Sequence, residues 1–453
     1  MRGCRVLTDR TTAIAVSAIV FLGLTIPVCL VKSPTGDEFF VVWSAAHWQL
    51  TADTVNNPPL FNVLAAALQS IIPFPWAFAL SPLPLLAAGA VVWRVASREQ
   101  LPTQYVFAGL LLVQGSLIGA GTYYRSYSLL LAFQALAFAA WNEEKRGWFV
   151  IFSVLASLTH HLGAFIGIGI VLASRFVKPK LPLYTLLGFV PTLYLAATGF
   201  GQKHHDVHTW GIHPSDIWLT WWVGMIVTVV FLARGSDLIR RVAVWSLVAH
   251  GVVLALLFTI PVREPYLWVT AVPVAILFAT GLRDLAAVLP PPRRLLLTRA
   301  VTALIGVETA GLVVVLVAGC VVNHQRRAQV HAALIECYRR GEKILFYPDV
   351  DLGTIQEAFS DLNHLQGYPM AVGPYLRRDD IHAEGEVVYE AANGSRLDAL
   401  PVHVPFAVGA TYDALFLAPG YDDAIKVPAG YIQKLRTPEW NVFTRESASH
   451  GSP

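Results

Sequence analysis

"AIAVSAIVFLGLTIPVCLVKSPTGDEFF", Ala13 to Phe40, decides how the rest of the chain is read. The run from Ala13 to Val31 carries no charge. As a helix it is about 28 Å long, close to the hydrocarbon thickness of a bilayer. It is too long for a signal-peptide core and has no clear small-residue cleavage site, so it reads as a retained first helix. Asp37 and Glu38 follow within a few residues. Adjacent carboxylates beside a hydrocarbon layer are costly unless solvated, paired or used.

The composition extends that reading to the whole chain. Of 453 residues, 55% are hydrophobic and only 14% charged, against about 25% charged in a soluble domain. Apolar runs recur at 13–31, 76–93, 103–121, 126–141, 148–160, 162–174, 182–199, 217–233, 242–260, 266–282 and 300–322. The fold class expected is a polytopic α-helical membrane protein of about 11 spans. The net charge of +3 divides into +8 over residues 1–322 and −5 over residues 323–453. The two parts therefore face different surroundings, and no nucleic-acid footprint is present. The four cysteines have neither metal-ligand spacing nor a disulfide framework.

Loop charges set an orientation. With the N-terminus inside, 17 Lys and Arg fall in inner loops and 4 at outer positions, an imbalance that fixes topology. The first external loop then covers about 32–75, and residues 323–453 are external as well. Within the loop, "NNPPLFNVLAAALQSII" places Asn57 to cap a helix and Pro58 at its first position. That helix, about 14 residues, is too short to span and should lie along the interface. In the C-terminal part, "EKILFYPD" and "YDALFLAPG" read as short buried strands, while "VHAALIECYRR" and "GTIQEAFSDLNHL" read as helices. Together they make a small external α/β domain, 323–453, behind a transmembrane domain, 1–322.

Three groups of residues can carry chemistry. Asp37 and Glu38, followed by Phe39, Phe40 and Trp43, are either a solvated helix end in an aromatic belt or a general base with a neighbouring acid. Arg125 and Arg263 sit at outer helix ends, each beside tyrosines. Tyr124, Tyr127 and Ser128 read as one helical face, and Tyr266 lies one turn after Arg263. Such arginines grip an anionic phosphate or merely snorkel to the surface. The histidines form the last group: His160 and His161 at an outer turn, and His204 and His208 at helical spacing in a loop. His204 and His208 are the metal candidates, with no further ligand pattern to support them. Glu308, inside the last span, reads as an interhelical hydrogen-bond partner.

The order of these motifs resembles the superfamily C (GT-C) glycosyltransferases. The branch in question holds protein O-mannosyltransferases and the bacterial transferases that add aminoarabinose to lipid A. Asp37-Glu38 after the first span, Asn57-Pro58-Pro59-Leu60 opening a juxtamembrane helix, Arg125 with Tyr127, Thr159-His160, and Arg263, Tyr266, Pro273, Gly281 and Leu282 near the last spans carry the resemblance. Asn57 stands where that family commonly has histidine, and Ser81-Pro82-Leu83-Pro84 where it often has Arg-Leu-Pro.

The resemblance implies a membrane glycosyltransferase in a bacterial-type plasma (inner) membrane. It would take a polyprenyl-phosphate-linked sugar and transfer it, with inversion, to an extracytoplasmic glycolipid, polysaccharide or protein. Asp37 would be the base and Glu38 its orienting neighbour. Arg125, Tyr127, Arg263 and Tyr266 would hold the donor phosphate and lipid, with Asn57, His160 and His161 in the cleft. Some relatives use a divalent metal and others none, so no cofactor is assigned. A lipid-linked-sugar flippase, or an inactive transferase-like scaffold in envelope assembly, is the competing class. A flippase would favour inverted repeats, which the sequence lacks.

The loop charges give a direct test. Alkaline phosphatase fused after Val322 should be active, and a cytoplasmic reporter at the same site silent. The opposite pattern would invert the layout, Asp37 included.

Overall fold

The computed structural model describes residues 2–31, 58–72, 74–194, 197, 219–257, 264–347, 387–390, 396–399, 412–417, 427, 429–437 and 440–445. Two compact units are present. One is built from Met1–Leu30 and Ser44–Leu316, and the other from Val31–Trp43 and Val317–Pro453.

The first unit is a helical bundle. Its helices are α1 (Arg2–Val31), α2 (Leu60–Gln69), α3 (Phe74–Ala79), α4 (Leu85–Arg98), α5 (Thr103–Leu112), α6 (Gln114–Thr122), α7 (Tyr127–Asn142), α8 (Arg146–Thr159) and α9 (His161–Ala173). A 3₁₀ turn, Leu183–Phe189, precedes α10 (Leu219–Arg234) and α11 (Asp237–Leu257). One turn at Glu264–Leu267 and a 3₁₀ turn at Trp268–Thr270 then lead into α12 (Ala271–Val288), before α13 (Pro291–Arg339).

Among the described residues, four stretches are long and apolar enough to cross a membrane: Arg10–Leu30, Asp237–Leu256, Pro265–Val288 and Pro291–Ala318. A fifth exists if α5 and α6, bent by 63° at Val113, count as one span. The remaining apolar helices have 10–17 residues. At 1.5 Å per residue the 16 residues of α7 reach about 24 Å, short of a hydrocarbon core.

The structure departs from the sequence reading at several elements, and the run 182–199 opens as a 3₁₀ turn instead of an α-helical span. The run 76–93 is divided, because Pro82 and Pro84 stop a helix from continuing and a turn separates α3 from α4. The juxtamembrane helix starts at Leu60, not at Pro58, and the Pro59 carbonyl accepts its first bond, from the Val63 N–H at 3.0 Å. "VHAALIECYRR" is helical, but as the end of α13 and not as a separate element.

Packing follows residue size. Trp141, Trp245, Phe138 and Phe149 are fully buried in the bundle. Phe138 stacks on Trp245 at 5.0 Å, and the Trp141 indole N–H donates to the Pro179 carbonyl at 2.8 Å. On α5, Gly109 lies so close to α12 that a Cβ would come within 2.2 Å of the Ala275 carbonyl oxygen.

Charged residues gather at one end of the bundle. Glu143 pairs with Arg94, with Lys145 at 2.9 Å and with Arg98 at 3.9 Å. The Lys145 hydrogen bond, ahead of the Arg94 and Arg98 charges, holds the Glu143 carboxyl below its usual range. Glu99 accepts from Ser236 at 2.7 Å and pairs with Arg283 at 3.5 Å, while Arg241 donates to the Lys178 carbonyl at 3.0 Å. These loops were assigned to one side from their charge, and their side chains meet there.

The second unit carries a six-stranded sheet: β1 (Lys343–Tyr347), β2 (Val387–Glu390), β3 (Arg396–Ala399), β4 (Ala414–Leu417), β5 (Tyr431–Arg436) and β6 (Asn441–Arg445), in the order β2-β3-β1-β4-β6-β5. β1 runs parallel to β3 and β4, and the outer pairings are antiparallel. β4 is buried along its whole length, as its uninterrupted apolar sequence requires. The Asp413 carboxylate accepts from the Lys343 N–H at 2.8 Å, and its carbonyl accepts from the Arg445 N–H at 2.8 Å, so one residue ties β1, β4 and β6. The predicted helix "GTIQEAFSDLNHL" lies outside the described residues.

Gly109→Ala should destabilise the bundle by about 1–3 kcal/mol, the usual cost of overpacking. Gly251→Ala on α11, where nothing lies within 4 Å, should be neutral or slightly stabilising. Thermal unfolding of the two variants in detergent compares them directly.

Candidate active site

The end of the bundle opposite the charged loops is aromatic. It is assembled where helices stop. α6 ends at Thr122, and the extended residue Tyr123 opens a short bend that closes at Tyr127, the first residue of α7. α8 ends at Thr159, His160 is extended, and α9 begins at His161. The turns before α12 contribute Tyr266 and Trp268.

These breaks bring distant residues together. The Tyr127 ring lies 5.0 Å from His160, 6.5 Å from Tyr266 and 5.4 Å from Trp268. Tyr123 stacks on Tyr127 at 6.1 Å and meets Trp268 edge-on at 6.0 Å. His160 lies 5.8 Å from Tyr266 and 6.4 Å from His161. Arg125, half-buried in the bend, has its charge within reach of His160. Two glycines permit the approach. A Cβ on Gly119 would strike the Trp268 ring at 2.5 Å, and one on Gly163 would meet the Ala156 carbonyl at 2.2 Å.

His160 is only 6% exposed. Its N–H bonds the Ala156 carbonyl at 3.1 Å, closing α8, and its Nδ1 accepts the Leu162 N–H at 3.1 Å, capping α9.

The first helix reaches the same end. Near its C-terminus the Cys29 thiol lies 3.7 Å from the Gly121 carbonyl and 3.8 Å from Ser81 Oγ, and Ser81 itself donates to Gly121. Gly121 is two residues from Tyr123. α2 docks there too, its Phe61 edge-on to Tyr124 at 5.6 Å and its Gln69 side chain donating to the Tyr124 hydroxyl at 3.2 Å. The opposite face of α2 shows Val63 and Leu64 to the surroundings, as an interfacial helix would.

The bundle also holds an apolar cavity of about 470 Å³. Leu117 and Ile118 of α6, Val272 and Ala275 of α12, and Phe21 and Leu24 of α1 are among its lining.

Of the residues singled out from the sequence, Tyr127, His160, His161 and Tyr266 meet in this cluster, with Arg125 beside it. Tyr124 does not join them: the helix starts only at Tyr127, so no shared face exists, and Tyr124 points to Phe61 and Phe78. Tyr123 and Trp268 were not selected, and only their neighbourhood to Arg125 and Tyr266 marks them in the sequence. Asp37, Glu38, Asn57, Arg263, His204 and His208 lie outside the described residues. Glu308 is exposed on α13 and, among the described residues, makes no interhelical hydrogen bond.

Two solved structures are similar over nearly the full chain. Apo ArnT from Cupriavidus metallidurans has a TM-score of 0.52 at 13% identity, covering 99% of this chain and 100% of that one. ArnT from the same organism bound to undecaprenyl phosphate has a TM-score of 0.52 at 14% identity, covering 98% and 99%. The chain has the fold of ArnT. ArnT is a GT-C lipid A aminoarabinose transferase, so the resemblance drawn from the motifs holds at the level of the fold. No family model and no curated protein matches the sequence.

Tyr124→Phe should keep the ring contacts and lose the Gln69 bond, worth about 0.5–1.5 kcal/mol. Amide exchange in α2 should then quicken by up to about 10-fold while α7 is unchanged. Hydrogen-exchange mass spectrometry reads both. Unaltered α2 exchange would assign its docking to the aromatic contacts alone.

Proposed function

We propose that the chain is a membrane glycosyltransferase that moves a sugar from a polyprenyl-phosphate donor to an extracytoplasmic acceptor. One observation carries the reading. Residues chosen from motifs scattered between positions 127 and 266 converge at one end of the bundle, where α1 also ends. The fold neighbour bound to undecaprenyl phosphate supports the donor class.

A lipid-anchored donor keeps its anomeric carbon near headgroup level, and the aromatic cluster would lie at that depth. The prenyl chain would enter the cavity between α1, α6 and α12. Asp37 follows the end of α1 by a few residues and would take the proton of the acceptor hydroxyl as that oxygen attacks the anomeric carbon. The bond from that carbon to the phosphate oxygen breaks with its electrons, and polyprenyl phosphate leaves with inversion at the sugar. Arg125 and Arg263 would meet the charge growing on the phosphate. Glu38 would orient Asp37 or the acceptor. In this reading the N-terminus and the charged loops are cytoplasmic, and residues 323–453 are extracytoplasmic.

Transfer from a polyprenyl-phosphate sugar in reconstituted membranes tests the assignment. Asp37→Asn should lower the rate by about 10²–10⁴-fold, with Glu38→Gln costing less. Arg125→Ala and Arg263→Ala should each cost about 2–4 kcal/mol, roughly 30- to 1000-fold. Near wild-type transfer by Asp37→Asn would return the first-loop carboxylates to an aromatic-belt role.

A further inference from the structure

We infer that the α8–α9 break holds His160 as a neutral imidazole whose Nε2–H is a hydrogen-bond donor to the phosphate of the lipid-linked donor. The inference rests on the transferase reading for the identity of that phosphate, but not for the state of the ring.

The argument starts from one bond. The Leu162 backbone N–H can only donate, and it points at His160 Nδ1 at 3.1 Å. Nδ1 must therefore present its lone pair. A neutral imidazole carries one proton, so that proton is on Nε2. A second proton on Nδ1 would set two N–H groups head to head and would uncap α9. The capping bond thus fixes both the tautomer and the charge for as long as α9 starts where it does.

Geometry keeps the bond in place. The extended backbone of His160, with φ −157° and ψ 142°, is the usual conformation of a capping residue. Its own N–H and C=O are tied to Ala156 and Gly163 at 3.1 and 2.8 Å, and Gly163 is where a Cβ would collide with α8. The ring is walled by Tyr127 and Tyr266. Among the described residues, Nε2 has no hydrogen-bond partner, although the residue is more than nine-tenths buried.

The surroundings say what the donor is for. The groups that face the ring are Tyr127, Tyr266, His161 and Arg125. Two are tyrosine rings and one is a fixed cation. A fixed N–H beside a permanent cation suits an anion with several acceptor oxygens, as a phosphate has. It does not suit proton removal, because a ring whose lone pair is already taken by a backbone amide cannot accept an acceptor's proton at Nε2.

His160→Asn separates the two jobs of the residue. Asparagine is a good capping residue, so its Oδ1 can still accept from Leu162, but it has no group where Nε2–H stood. The expected result is a smaller loss of thermal stability than in His160→Ala, with binding of undecaprenyl phosphate weakened about 10- to 100-fold. His160→Ala should lose both binding and stability. Equal binding by wild type and His160→Asn would overturn the donor role and leave the transferase reading intact. A wild-type protein that binds no undecaprenyl phosphate would sink that reading and the donor role with it. The ring state has its own readout, the ¹⁵N spectrum of histidine-labelled protein, with the His160 signals found by difference from His160→Asn. An unprotonated Nδ1 and a protonated Nε2, unchanged through mildly acidic pH, are expected. An Nδ1–H tautomer, or an ordinary titration to imidazolium, would refute the inference.

Discussion

A backbone that stops being helical in an apolar bundle must find partners for the groups it frees, since no water is there to take them. This constraint organises the protein. The breaks at Tyr123–Ser126, Thr159–His160 and Leu267–Thr270 all fall at one end, and each is closed by local bonds. The Arg125 N–H reaches the Tyr123 carbonyl at 2.7 Å, and Leu162 reaches the His160 ring. The Thr270 hydroxyl donates to the Leu267 carbonyl at 2.9 Å. Side chains at such breaks are not committed to a helix face, so they can turn inward together. The aromatic cluster is a by-product of where the helices end.

The two ends of the bundle solve different problems. At the charged end, Glu143 and Glu99 are outnumbered by the arginines and lysines around them, and the surplus cations bond backbone carbonyls, as Arg241 does with Lys178. That end holds itself together with polar links between loops. At the aromatic end the links are ring contacts and short caps, with small residues, Gly119 and Gly163, set where the backbones or rings must touch. Ring contacts between Tyr127, Tyr266 and Trp268 are apolar at their centres and polar at their rims. Such a surface is apolar and polar side by side, which a network of ion pairs is not.

Much of this was legible from residue order. Long uncharged runs gave the helical bundle, loop charges gave the side on which loops meet, and uninterrupted apolar stretches gave β1 and β4. Tyr127, His160, His161 and Tyr266 were legible because each stands beside a helix end. What was not legible depended on local geometry. Tyr123 and Tyr124 are neighbours of the same type, and only the backbone bend decides that Tyr123 enters the cluster while Tyr124 turns to Phe61 and Phe78. Trp268 reads as one more apolar residue of a span, since a 3₁₀ turn leaves no distinct pattern over three residues. The prolines of Ser81-Pro82-Leu83-Pro84 did signal a break, but hydropathy averaged over the run concealed it. The continuation of α13 past Val322 was hidden for the opposite reason: a polar sequence marks a change of surroundings, not the end of a helix.

The capped histidine also bears on where the proton of a transfer reaction can go. Among the described members of the cluster, the tyrosine hydroxyls are poor bases at neutral pH, Arg125 holds its proton permanently, and the lone pair of His160 is spent on Leu162. A cluster of this kind can stabilise a leaving group, but it offers little to an attacking hydroxyl. In the transferase reading proposed above, the candidates left for the base are His161 and a carboxylate from outside the described cluster. α1 ends beside Gly121, two residues from the cluster, and the next carboxylates in the chain are Asp37 and Glu38.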